Sequence, residues 1–253
     1  MKFVFILFLF ISSQAFSSEK INIFSMNTHC FFENWQKRIP IILDKAIELN
    51  SDFLNLQEIC ISKKQNMNKF ILHYLYKKTG KDWHSNLQYM HLAWNKYDEY
   101  IGLYTYHKPE AKISGYLPKS PLQRAYNAMK WHGKWFVGLH LEHSNDYAHY
   151  RKEQISFLYN IFGDEKSIFM GDFNSNYTSS EQFLLYKKNW RPYFPGVTYP
   201  SSNPYKGIDG FWLSSKLNDF NARVIRLFTN PIDINNTQQY LSDHYAVFLT
   251  LKN

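Results

Sequence analysis

A layered α/β domain is the fold class this sequence predicts, and three observations carry it. Short apolar runs rich in β-branched and aromatic residues recur along the chain. A few longer segments repeat their apolar residues at helical spacing. Acidic, amide and imidazole side chains gather where the apolar runs end, which is where sheets present sites to solvent.

The elements follow in order. Lys2, the apolar run Phe3 to Ile11 and the small-x-small signal Ala15-Phe16-Ser17 read as a secretory signal peptide over residues 1–17. That run is too short for a membrane-spanning helix. Residues 18–253 are then expected as one catalytic-size domain, secreted or periplasmic, with no linker or repeat to divide it. Residues 21–25 read as a strand. Trp35, Ile39, Ile42, Leu43, Ala46 and Ile47 define an amphipathic helix over 35–49. A strand at 53–56 ends in Gln57-Glu58, and a helix covers 66–78. Strands follow at 101–106, 112–116, 125–131 and 135–140, the last ending in His140. Residues 149–162 are helical. The strand at 167–170 runs into Gly171, Asp172 and Asn174. Residues 180–188 read as helix, and four prolines between 191 and 207 make that segment a loop. Strands at 210–214, 222–227 and 245–251 complete the chain, with Asp209 and Asp243-His244 just ahead of the first and last.

The chain carries 29 Lys and Arg against 21 Asp and Glu, a formal charge of +8, or +7 once Lys2 leaves with the leader (8 − 1). That excess suits an anionic partner such as nucleic acid or an acidic membrane face, or simply a soluble basic surface. "HLEH" at 140–143 does not read as a zinc site. On a strand its histidines fall on opposite faces, and neither a cysteine cluster nor an HExxH helix accompanies them.

Several motifs together resemble the endonuclease/exonuclease/phosphatase superfamily, whose fold is that of deoxyribonuclease I. They are Asn27 in "SMNTH", Glu58 in "NLQEI", Glu99 in "YDEYIGLY", Arg124 in "LQRAYNAM", His140 in "VGLHLEH", Asp172 and Asn174 in "MGDFNS", Asp209 in "GIDGFW" and Asp243-His244 in "LSDHYAV". Order and spacing agree from about residue 21 to residue 251. Gly210, where the family usually has an aromatic residue, and Leu139 depart from the pattern.

The resemblance implies a four-layer α/β/β/α sandwich of two mainly antiparallel sheets flanked by helices. It implies hydrolysis of a phosphodiester by an activated water, with a divalent metal, Mg²⁺ first and Mn²⁺ or Ca²⁺ as alternatives. Glu58 becomes the leading metal ligand, with Asn27 adding a neutral oxygen and Asp243 completing the shell. His244 is expected as general base with Asp209 fixing its tautomer, and His140 as acid or phosphate donor oriented by Glu99. Asp172 and Asn174 are expected against the scissile phosphate, with Arg124 as a fixed positive charge there. Cys30 and Cys60 follow Asn27 and Glu58 closely, so on this fold they lie on one rim, where a Cys30–Cys60 disulfide would brace it. Two substrates stay open. DNA, cut by a monomeric endonuclease, suits the basic charge and "YDEYIGLY". Membrane phospholipid, cut by a sphingomyelinase-type enzyme, suits "VTYPSSNPYKGID" and the many aromatic residues.

Overall fold

A computed structural model describes residues 19–253 of the chain. The expected signal peptide, residues 1–17, lies outside the described residues. Among the described residues, no helix is long and apolar enough to cross a membrane.

The strands form two six-stranded sheets. The first sheet has the order β11-β14-β1-β2-β4-β3. Its members are β1 (Lys20–Asn27), β2 (Phe53–Ile61), β3 (His84–Ala93), β4 (Tyr97–Thr105), β11 (Asn221–Leu227) and β14 (Ala246–Lys252). The second has the order β5-β6-β7-β8-β10-β9. It is built from β5 (Ala111–Tyr116), β6 (Ala125–Trp131), β7 (Lys134–His140), β8 (Lys166–Asp172), β9 (Arg191–Tyr193) and β10 (Asp209–Leu213). β12 (Ile232–Asp233) and β13 (Gln238–Gln239) form a small separate ribbon. Only β1–β2 and β7–β8 pair in parallel within the large sheets; the other pairs are antiparallel.

Strand alternation builds the layers. Along β1, Ile21 and Ile23 face the opposite sheet and pack with Phe136, Ile168, Met170 and Phe211. Phe24 and Met26 face outward, onto α1 (Trp35–Glu48) and α2 (Met67–Thr79) through Ile39, Leu43 and Ile71. On the second sheet, Val137, Leu139 and Phe169 face α3 (Ala148–Phe162) and α4 (Phe183–Lys187) through Ile155, Leu158 and Leu185. The result is helices, sheet, sheet, helices, the four-layer sandwich expected of the fold class.

Four strands depart from the sequence reading: the two-residue strands β12 and β13, which are too short to leave a pattern, and β3 and β9. β3 was not anticipated: its first six residues are all half-buried, so no inside–outside alternation marks it. The proline-rich segment also begins with a strand rather than a loop. β9 pairs only with β10 at the edge of its sheet, where Pro192 removes no needed ladder donor.

Close backbone approach sets the rows that matter below. Gly171 sits at φ +139°, and a Cβ there would collide with the Leu139 carbonyl oxygen. A glycine at 171 therefore lets β8 lie tight against β7 immediately before Asp172.

Candidate active site

Strand register assembles one wall of a cleft. In the second sheet His140 pairs with Asp172, and Asp172 with Asp209, in a single row across β7, β8 and β10. On the other side His140 pairs with Ala125, which brings Arg124 to the same end. The first sheet supplies the facing wall. Asn27 ends β1 beside Gln57, while Glu99 on β4 pairs with Cys60. Glu58 reaches the cleft through a β-bulge. The register shifts between Leu56 and Ile59, and Glu58 sits at φ +58°. Plain alternation would send Glu58 with Leu54 and Leu56 to the helix-covered face, so the bulge re-aims it.

The two walls meet at the Asp172 carboxylate. Its Oδ2 lies 3.5 Å from His140 Nε2, 3.8 Å from His244 Nε2 and 3.5 Å from Asn27 Nδ2. Its Oδ1 accepts the Asn174 backbone N–H at 2.8 Å. Burial, then the charge of Asp209, pushes the Asp172 carboxyl up to about 7. His244 Nδ1 donates to Asp209 Oδ2 at 2.9 Å, and Thr198 Oγ1 donates to the same oxygen at 2.6 Å. Burial disfavours the charged imidazole of His244, but Asp209 and Asp172 outweigh it and raise it to about 10. His140 has the opposite setting. Burial and the Arg124 guanidinium, whose Nη1 donates to His140 Nε2 at 3.0 Å, hold it well below the usual histidine range.

On the first-sheet side, Asn27 Nδ2 donates to Glu58 Oε1 at 2.9 Å. Its oxygen accepts the His29 N–H, so in this structure Asn27 braces Glu58 by its nitrogen. Glu58, Glu99 and His140 each place a donor atom within 4.8 Å of the others. Burial and the neighbouring Glu58 push the Glu99 carboxyl up to about 8. Two carboxylates crowded beside an imidazole, one held protonated first by burial and then by the other's charge, are a donor set that fits a divalent cation. Asp243 stands half-exposed on the rim, its Oδ1 3.6 Å from His29 Nδ1.

Every expected catalytic, metal and phosphate-binding residue except Asp209 lines one cleft of about 530 Å³, and Asp209 backs it through His244. Two expected partnerships differ. Glu99 does not hydrogen-bond His140; its Oε1 faces His91 Nε2 at 3.6 Å, while His140 takes Arg124 as partner. The Asn174 side-chain amide donates to the Leu141 carbonyl at 3.0 Å, so one of its donors is already engaged. His143 Nδ1 donates to buried Glu142 at 2.8 Å, which absorbs the second histidine of "HLEH". The structure bonds Cys30 to Cys60, with Cα atoms 5.1 Å apart, joining the loop after Asn27 to the strand of Glu58. His91 and Thr198 are the site residues sequence reasoning did not assign. His91 lies on the unanticipated β3. Thr198 lies in "VTYPSSNPYKGID", a stretch that gives it no partner and so no role.

No family model matches the chain, and no curated protein matches it by sequence. Solved structures do match by shape. An endonuclease/exonuclease/phosphatase family protein from Leptotrichia buccalis C-1013-b superposes with a TM-score of 0.72 at 17% identity, covering 91% of this chain and 99% of that one. D. rerio TDP2 complexed with single strand DNA product gives 0.70 at 14% identity, covering 92% and 99%. The human Nocturnin catalytic domain with bound sulfate anion gives 0.69 at 17% identity, covering 92% and 94%. By its layers, its strand order and these superpositions, the chain has the fold of the endonuclease/exonuclease/phosphatase proteins.

Proposed function

We propose that this chain is an exported, metal-dependent phosphodiesterase of that superfamily, and that it cleaves DNA as an endonuclease. One observation carries the reading. A buried carboxylate, Asp172, is tuned to about 7 and shared by a neutral imidazole, a charged imidazole and an amide in a single cleft.

The chain's own groups divide the work. A phosphodiester seated over Asp172 meets Arg124 and the charged His244, which neutralise its equatorial oxygens. The attacking water forms the new P–O bond and passes its proton to Asp172, whose affinity for a proton is matched to neutral pH, while the P–O bond to the leaving oxygen breaks and that oxygen takes a proton from charged His244. Charged His244 suits a phosphate donor, not the general base expected from the motif alone. Asp209 and Thr198 hold its ring in place. Neutral His140 fixes one nitrogen of Arg124. Glu58, with Glu99 beside it and Asp243 on the rim of the same cleft, would hold Mg²⁺, with Mn²⁺ or Ca²⁺ as alternatives. A bound divalent cation supplies Lewis-acid stabilisation of the phosphoryl and leaving oxygens.

Three facts support nucleic acid. The chain carries +8 formal charge, which suits phosphate contacts. A neighbour of the same fold holds single strand DNA product, and another holds sulfate, a tetrahedral anion shaped like phosphate. Export rests on the leader at residues 1–17.

Plasmid nicking and phosphocholine release from sphingomyelin, run side by side with Mg²⁺ and then with EDTA, test the reading. Nicking with Mg²⁺ that EDTA abolishes, without phosphocholine release, is the expected result. Phosphocholine release without nicking would replace it with the sphingomyelinase-type reading, and activity that survives EDTA would remove the metal.

A further inference from the structure

The mouth of the cleft carries an exposed aromatic cluster that none of the chemistry above uses. Phe32 is 45% exposed and Trp94 57% exposed, far more than most large apolar side chains of this domain. The His29 ring stacks on Phe32 with centroids 4.3 Å apart and planes 18° from parallel. Trp94 stands edge-on to the same imidazole at 6.2 Å and to Tyr97 at 6.0 Å. His29 and Trp94 also line the catalytic cleft, so the cluster is continuous with it.

Both supports of the cluster are rigid. Buried Arg38 donates to the carbonyls of Thr28, Cys30, Glu33 and Phe32, and the Cys30–Cys60 bond ties the same loop to β2. Trp94 occupies a tight hairpin turn between β3 and β4, closed by Lys96 N–H donating to the Ala93 carbonyl at 2.9 Å. Trp94 and Asn95 both sit at positive φ, 49° and 55°. Such a turn favours Asn or Gly at its first central position, and a bulky ring there is held against local preference. Backbone cost at a solvent-facing ring beside a cleft points to use of that ring.

We propose that Phe32 and Trp94 form a stacking shelf for an unpaired nucleobase flanking the scissile phosphate. This rests on the nuclease reading and narrows its substrate to single-stranded or locally melted DNA. The shelf opens from a cleft lined by Arg124 and Lys206, and Lys96 in the hairpin turn carries its ammonium 5.0 Å from the Tyr97 ring. Planar rings edged by cations match a base and its phosphate. A zwitterionic lipid surface has no use for that net positive charge. The rigid supports mean little ordering is needed when the base arrives.

The test is a cycle between protein and DNA. A fluorescent single-stranded deoxyoligonucleotide is made with one abasic position at a time, and its affinity is read by anisotropy in EDTA, which prevents cleavage. For the wild-type protein, one abasic position is expected to weaken binding about tenfold, the scale of one lost base–aromatic stack. In Trp94→Ala that position should cost nothing further, and Trp94→Phe should restore most of the penalty. Phe32→Ala should behave like Trp94→Ala. If the oligonucleotide binds but every abasic position costs the same in wild type and variants, the shelf is overturned while the nuclease reading stands. A wild type that binds no oligonucleotide overturns both. So does a protein that sediments with neutral sphingomyelin vesicles through Trp94 and ignores the oligonucleotide.

Discussion

His140 and His244 are buried to the same degree and face the same oxygen of Asp172, yet their charges differ. His140, at the end of β7, has a guanidinium as its nearest partner and is held neutral. His244, just ahead of β14, has Asp209 behind it and Asp172 in front, and is held charged. Burial disfavours the charge on both rings, so burial does not separate them. The sign of the nearest neighbour does. One cleft thereby gains a proton-poor ring and a proton-rich ring on either side of a carboxylate poised near neutrality.

Removing the shared carboxylate breaks this arrangement most severely. Asp172→Asn keeps the shape but loses the proton acceptor, and plasmid nicking is expected to fall by about a thousandfold with the circular dichroism spectrum retained. Asp209→Asn attacks one side only. His244 loses the neighbour that holds its proton, and nicking should fall by about a hundredfold. Arg124→Gln attacks the other side. It frees His140 Nε2 and removes a positive charge, and is expected to cost about tenfold to a hundredfold, read in the same assay.

Changes away from Asp172 should leave both rings as they are. Replacing Cys30 and Cys60 by Ser opens a bond spanning a sequence separation of 30, worth about 3–4 kcal/mol on the loop-closure scale. Thermal unfolding should register that loss, and thiol counting on the native protein should find none reactive. Asp52, just before β2 at the end remote from Glu58, makes the smallest test. Burial alone would raise its carboxyl. His107, the Asn22 N–H and Tyr106 hydrogen-bond it and hold it below the usual range. Its folded value is therefore lower than its unfolded value of about 3.9. Its stabilisation is complete above pH ~4 and is lost as pH falls through the lowered folded value. Asp52→Asn should flatten the acid limb of stability against pH, measured by urea unfolding.

Much of this was legible in the sequence because sheets put polar residues at strand ends. Asn27, His140, Asp172 and His244 each follow or precede an apolar run, and each reaches the cleft. The four layers were legible only through the resemblance, since apolar runs do not say which strand joins which sheet. What escaped had physical causes. His91 hid on β3, whose half-buried faces erase the alternation that marks a strand. Prolines masked β9, which an edge position permits. The reach of Glu58 depends on a bulge, and the partner of Glu99 on register, neither of which a linear spacing encodes. Charge states were least legible of all. The motif pairs His244 with Asp209, but only the packed cleft adds Asp172 and turns a candidate base into a charged donor.

The claim that one cleft holds one neutral and one positively charged imidazole around Asp172 is tested most directly by ¹⁵N-histidine NMR of the wild-type protein in EDTA at pH 7. His140 and His244 are assigned there with His140→Gln and His244→Gln. His244 is expected with both ring nitrogens protonated and unchanged up to about pH 9, and His140 as a single neutral tautomer down to the acid limit of the fold. Two imidazoles that titrate together near pH 6.5, the ordinary histidine value, would contradict it.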